Sequence, residues 1–235
     1  REDEHLKKIQ KQGLTLEKMW DKTEENISIP ATDMEHYAEH PDVIFVCVKG
    51  YSLQETIPFI KRIARKNTIV IPVLNIYGTG GKMQKELPDL LVTDGCIYVS
   101  ANIKEPGKLL QHGQILHIVF GVRDKAEFRP ELKEIQKDLC DSHIDGTLSE
   151  NIRREALEKF SYVSPIGAAG LYYHATAADF QKEGEARELF KTMIKEIAAL
   201  AEAMGVPFQK DMAEVNLKIL SNLAPEATTS MQRDI

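Results

Sequence analysis

The chain has 235 residues, 43% of them apolar, and a formal net charge of −6. That length suits one large or two ordinary domains, and the apolar share is that of a globular protein. The acidic balance leaves no nucleic-acid footprint, and no apolar run nears the ~20 residues of a membrane span.

In chain order, Glu4 to Gln12 carries Leu6 and Ile9 in a charged background. It predicts a short surface helix stopped by Gly13. Leu14 to Trp20 and Asn26 to Ile29 alternate apolar and polar residues around a polar stretch, which reads as a hairpin. Asp33 to His40 predicts a short helix before Pro41. His36 and His40 stand four apart there, a spacing that can hold a metal. No carboxylate constellation joins them, so they are read as surface residues and no metal is expected.

Val43 to Val48 is an unbroken run rich in β-branched residues, the pattern of a strand buried on both faces of a parallel sheet. Lys49 and Gly50 end it. Ser52 and Glu55 predict a capping box opening a helix over Leu53 to Ala64, with Pro58 loosening its first turn. Thr68 to Leu74 is a second strand, in which Pro72 points to an edge or a bulge. Strand, helix and strand at this spacing make a right-handed crossover. Ligands of open α/β sheets bind beyond the carboxyl ends of the strands, where Lys49 and Asn75 stand. Gly78, Gly80 and Gly81 then form either a flexible turn or backbone that closes over a ligand, ahead of a helix over Lys82 to Leu87.

Ile97 to Ile103, Lys108 to Gln111 and Ile115 to Phe120 predict antiparallel strands, with turns at Pro106-Gly107 and His112-Gly113. Arg129 to Cys140 reads as an amphipathic helix. Polar Asp141 to Gly146 is the expected boundary between an α/β domain, 1–146, and a helical domain, 147–235. Thr147 and Glu150 predict a second capping box. Ile152, Ala156, Lys159 and Val163 share one helical face. A lysine in such a stripe is either a snorkelling side chain or a partly desolvated ammonium able to donate a proton. Gly167 to Gly170 permit close helix packing or a break. Ala186 to Met204 predicts a long helix with Phe190, Ile194, Ile197 and Leu200 among its inward residues, and Asp211 to Leu220 another. Ser230 is placed either to cap a helix opening at Met231 or to touch a ligand. Cys47, Cys96 and Cys140 form no CxxC or metal pattern, and so sparse a count fits a reducing cytoplasm.

Several pieces in order resemble the ketopantoate reductases. They are Val48-Lys49 with Gln54 nearby, a following strand ending at Asn75, the helix bearing Glu158-Lys159-Phe160, and the segment Thr229, Ser230, Met231 and Asp234. Arg1 and the helix ending Gln12-Gly13-Leu14 look like the family's segment after its second strand. The resemblance implies a Rossmann-like NADP-binding domain, lacking here its Gly-rich first strand and helix, followed by an all-helical C-terminal domain. It implies hydride transfer from NADPH to a 2-oxo acid, with Lys159 as general acid and Asn75 as a second catalytic residue. Arg1, Lys49, Gln54 and Asn75 would serve the cofactor, and Ser230 and Asp234 the substrate. It allows a homodimer. The family has asparagines four and eight residues after its lysine, where this chain has Val163 and Gly167. That difference predicts a changed substrate, or a relative that binds nucleotide without catalysis. The opening Arg1, and an end inside what reads as a helix start, suggest a piece of a longer polypeptide. A piece without the Gly-rich turn is expected to bind NADPH poorly.

Overall fold

The computed structural model of the chain describes residues 4–233. It divides into two compact units. One comprises the chain up to Leu74 together with Thr79–Leu148, and the other comprises Asn75–Gly78 together with the chain from Ser149 onward. Among the described residues no helix is long and apolar enough to cross a membrane.

The first unit opens with α1 (Glu4–Gln12), then β1 (Leu14–Lys18) and β2 (Thr23–Ile27), an antiparallel hairpin as expected. Gly13 joins helix to strand at φ +78°, where a Cβ would stand 2.7 Å from the Ile27 carbonyl oxygen, so only glycine fits. Asp33 to His40 forms a turn, not the expected helix. The Asp33 carboxylate accepts the His36 amide, and the carbonyls of Met34 and Tyr37 accept from the Arg62 guanidinium. Side chains have taken the groups that a helix would have paired internally.

β3 (Val43–Val46), α2 (Leu53–Ile63), β4 (Ile69–Pro72), α3 (Thr79–Glu86) and β5 (Leu91–Val92) build a three-stranded parallel sheet, ordered β3-β4-β5. β4 is buried throughout because its two faces meet different partners. Ile69, Ile71 and Val73 pack in one apolar cluster, while Val70 packs with Ile57, Ile60 and Met83 in another. Pro72 therefore sits on a central strand, not at an edge or bulge. The amides of Ile69 and Val73 point to β3, so residue 72 would aim its amide toward β5, whose pairing stops at Val70↔Val92. The proline occupies a position where no ladder bond is due. A short 3-10 turn, Gly50–Ser52, leads into α2, and Ser52 makes no side-chain capping bond. Its ψ of 2° departs from the extended shape that a capping side chain needs.

β6 (Asp94–Glu105) and β7 (Lys108–Gly121) form one long antiparallel hairpin rather than three strands. Between the pairs Val99↔Leu116 and Ala101↔Gln111, β7 runs through residues 112–115 while β6 advances by Ser100 alone. His112-Gly113 thus marks a bulge, not a turn. α4 (Glu131–Asp141) is followed at once by β8 (Asp145–Leu148), which pairs in parallel with β7. The polar stretch read as the boundary is a tight helix-to-strand connection. Thr147 lies in that strand and cannot cap a helix.

The second unit is helical: α5 (Ile152–Tyr173), α6 (Ala177–Gln181), α7 (Glu185–Ala203), α8 (Met212–Ser221) and α9 (Ser230–Arg233). Its core joins Ile166, Ala169, Phe180, Phe190, Ile194 and Leu220. Leu200, expected inward, is 47% exposed. α5 runs unbroken through Gly167 and Gly170, whose missing side chains admit Met231 and Gln232 of α9. The glycines serve close packing, the first of the two readings.

Candidate active site

α5 starts where Asn151 accepts the Arg154 amide. Ser149 Oγ accepts the Asn151 amide and donates to Glu155 Oε1 at 2.8 Å. This start sets the phase of the helix. Leu157 and Ser161 fall on the buried face, and Lys159 falls between buried face and surface, half-buried. Ser161 accepts from the buried amide of Asn216 at 3.1 Å, tying α5 to α8. The lysine is held on a helix whose roll is fixed by these contacts.

Lys159 Nζ donates to Asn75 Oδ1 at 2.7 Å, across 84 residues of sequence. The segment that brings Asn75 is Asn75–Gly78, which groups with the helical unit rather than with β4 and α3, which flank it. Its anchor is Tyr77. That ring packs against a cluster of Leu157, Ile197, Ala201 and Val206, and lies 6.3 Å from the Phe160 ring. Gly78 then turns at φ +76°. Tyr77 was not foreseen as part of the site. The available signal was an aromatic residue inside a turn of otherwise small and flexible residues.

Glu158, next to the lysine, has its carboxyl pushed above the usual range by burial, with Arg154 pulling the other way. Burial also pushes the Tyr162 hydroxyl up to about 12, so it stays protonated where its ring meets Phe190 edge-on.

Ser230 is exposed and opens α9, but it does not cap it. Thr229 does: its hydroxyl accepts the Gln232 amide, and Gln232 Oε1 accepts the Thr229 amide at 2.9 Å. This is a reciprocal capping box one residue earlier than expected. Gln232 Nε2 also donates to the carbonyls of Gly170 and Ala175, fastening α9 to the end of α5.

In the first unit, Lys49 is exposed just beyond β3, and Gln54 is exposed in the first turn of α2. Arg1 and Asp234 lie outside the described residues. His36 Nδ1 rests on Asp33, and His40 Nδ1 on the Ile63 carbonyl, so the two rings serve different neighbours. Among the described residues no group of three or more His, Cys, Asp or Glu is placed to hold a metal. Gly80 and Gly81 begin α3 rather than preceding it. The Gly80 amide donates to the buried Asp94 carboxylate at 2.8 Å, and a Cβ on Gly80 would stand 2.0 Å from the Thr93 carbonyl oxygen. Gly80 is thus explained by close packing in its own unit.

Known proteins share this architecture. The family model "Ketopantoate reductase PanE/ApbA" matches residues 1–125, and that of its C-terminal part matches 151–235. An uncharacterised oxidoreductase, YkpB of Bacillus subtilis, is 19% identical over 83% of this chain, and the chain spans 64% of that relative's length. The crystal structure of 2-dehydropantoate 2-reductase from Methylococcus capsulatus superposes with a TM-score of 0.81 at 17% identity, covering 98% of this chain and 73% of that one. A ternary structure of D-mandelate dehydrogenase with NADH and anilino(oxo)acetate gives 0.82 at 16% identity, covering 98% and 74%. The fold is a Rossmann-like α/β part followed by a helical part, and with both family models matched in order this chain belongs to the ketopantoate reductase PanE/ApbA family.

Proposed function

We propose that this protein reduces a 2-oxo acid, ketopantoate or a related branched one, to the 2-hydroxy acid, with NADPH as hydride donor. The observation that carries the reading is the 2.7 Å bond from Lys159 Nζ to Asn75 Oδ1. It puts a half-buried ammonium in a fixed direction on a rigid helix. A bound nicotinamide dinucleotide would supply the hydride to the carbonyl carbon. As negative charge grows on the carbonyl oxygen, the Lys159 ammonium stabilises it and transfers a proton to it, leaving the neutral amine and the product hydroxyl. Asn75 accepts from Nζ and aims the ammonium throughout.

The residues present fit such a cofactor. An exposed ammonium, Lys49, stands beyond a parallel strand, and an exposed amide, Gln54, stands in the helix turn that follows, as a phosphate- and ribose-bearing ligand requires. We assign Lys49, Gln54 and Asn75 to the cofactor and Arg1 to its 2′-phosphate. Ser230, released from capping by Thr229, and Asp234 are assigned to the substrate. In this reading residues 1–146 serve the cofactor and 147–235 the substrate. The protein acts in the cytoplasm, and the reading allows a homodimer.

NADPH oxidation by the purified full-length protein, followed at 340 nm with a panel of branched 2-oxo acids, tests the proposal. Turnover that Lys159→Ala abolishes supports it. Turnover that survives this substitution removes the lysine from the chemistry. The apolar residues at Val163 and Gly167 favour a second reading, a relative that binds nucleotide without catalysis. Cofactor binding with no turnover of any 2-oxo acid would select it.

A further inference from the structure

We propose that Tyr77 is a positioning residue for the proton transfer, and that it sets the rate by holding Asn75 against Lys159. The inference rests on the roles given to Lys159 and Asn75 above and deepens them.

A surface loop moves unless something ties it down. Asn75 and Ile76 are exposed and give this loop no core of its own. Tyr77 is half-buried, and its ring packs against buried Leu157, Ile197, Ala201 and Val206. Leu157 stands two residues before Lys159 on α5. Phe160, whose ring lies 6.3 Å from that of Tyr77, stands one residue after it. Asn75 and Tyr77 therefore meet the same turn of the same helix, one by a hydrogen bond and the other by a ring. Ile197 and Ala201 belong to α7, so the seat of the ring is built by helix packing and not by the loop. Gly78, at φ +76°, lets the chain leave the seat toward α3.

The two attachments differ in strength. A hydrogen bond from an ammonium to an exposed amide competes with water, so its net contribution is small. A ring pressed on an apolar seat is favoured by leaving water. The ring fixes where the loop lies, and the hydrogen bond then fixes where the ammonium points. Without the ring, Asn75 would give up the ammonium to water, and Lys159 would sample other directions. A general acid depends on fixed geometry, and a displacement of about 1 Å can cost about 100-fold in rate.

The test trims the ring in the purified full-length protein, assayed with NADPH and the 2-oxo acid it turns over best. Tyr77→Phe keeps the packing ring, and kcat should stay within about 3-fold of the wild type. Tyr77→Ala should lower kcat by about 10- to 100-fold while the KM for the acid moves less than about 3-fold, as for a loss felt in the transition state. Tyr77→Leu should fall between, and it carries the test if the alanine variant does not fold. In the slower Asn75→Ala background the same series should be nearly flat, because the ring then has nothing to position. A ring that merely props the helices would slow both backgrounds alike, and that result overturns the inference. A kcat that the leucine and alanine variants leave unchanged overturns it too. Hydrogen exchange in the free protein reads the anchor without turnover. A peptide spanning residues 74–79 should exchange faster in both trimmed variants while the peptide of α5 does not, and unchanged exchange at 74–79 overturns the inference. Each of these failures leaves the reduction itself standing. Turnover of no 2-oxo acid by the wild type removes the proposed reaction and this inference with it.

Discussion

Two polar pairs, one in each unit, invite comparison. In the α/β unit, Asp94 is 8% exposed, accepts the Gly80 amide and lies 3.7 Å from the Arg123 guanidinium. In the helical unit, half-buried Lys159 donates to exposed Asn75. Both pairs join residues distant in sequence. The first is enclosed and ties the start of α3 to the strand that follows β5. The second reaches the surface and holds an ammonium there. Burial raises the Asp94 carboxyl above its usual range, against the pull of Arg123. A perturbed titration thus accompanies a structural clamp at Asp94, although such shifts often gather at active sites; accessibility and hydrogen-bond direction separate the two pairs.

The sharpest way to break the comparison is Lys159→Ala. If this pair is chemical, the substitution should lower kcat by about 10²- to 10⁴-fold, the usual share of a general acid. The melting temperature should move little, because the side chain is only half-buried. A large fall in melting temperature with turnover retained would make the second pair structural as well.

The next effect falls on the other pair. Gly80→Ala pushes a Cβ to within 2.0 Å of the Thr93 carbonyl oxygen, a backbone atom that cannot swing aside. Overpacking of this kind costs about 3 kcal/mol, read by urea denaturation. Asp94→Ala should cost less, about 1–3 kcal/mol, chiefly because the buried Gly80 amide loses its acceptor. A neutral result for either would mean that α3 starts independently of Asp94.

How much of this was legible in the sequence follows from where the determinants lie. Helices came through because their apolar spacing is local: Ile57, Ile60 and Ile63 are all buried on α2, and Phe190, Ile194 and Ile197 on α7. Caps did not. Ser52, Thr147 and Ser230 each stand at a plausible cap position, yet the helices begin under other control: a 3-10 turn, Asn151 and Thr229. Cap choice depends on backbone angles that neighbours impose, and three residues of motif do not encode them. The hairpin of β6 and β7 was cut short because the His112-Gly113 signal fits a bulge as well as a turn. Asn75 stood out as a strand end and Lys159 as a lysine in an apolar stripe, and resemblance added their roles. Their junction could not be read from local sequence, because Tyr77 docks on Leu157 and Phe160, some 80 residues away.

The smallest expected effect concerns pH and bears on the first pair alone. Because burial raises the folded Asp94 carboxyl, the folded state holds its proton more tightly than the unfolded chain does. Between the two titrations the native state binds more protons, so stability falls as pH rises. Asp94 thus contributes most below the ordinary carboxylate range. That contribution is lost as pH climbs through the raised folded value, and the curve then flattens. Asp94→Asn keeps an oxygen for the Gly80 amide and cannot titrate, so it serves as the reference. Urea denaturation of both proteins from acid to neutral pH should show the wild type losing stability relative to the variant. If the wild type gains instead, the attraction to Arg123 outweighs desolvation. Asp94 would then be a stabilising ion-pair partner rather than a buried acceptor held at a cost.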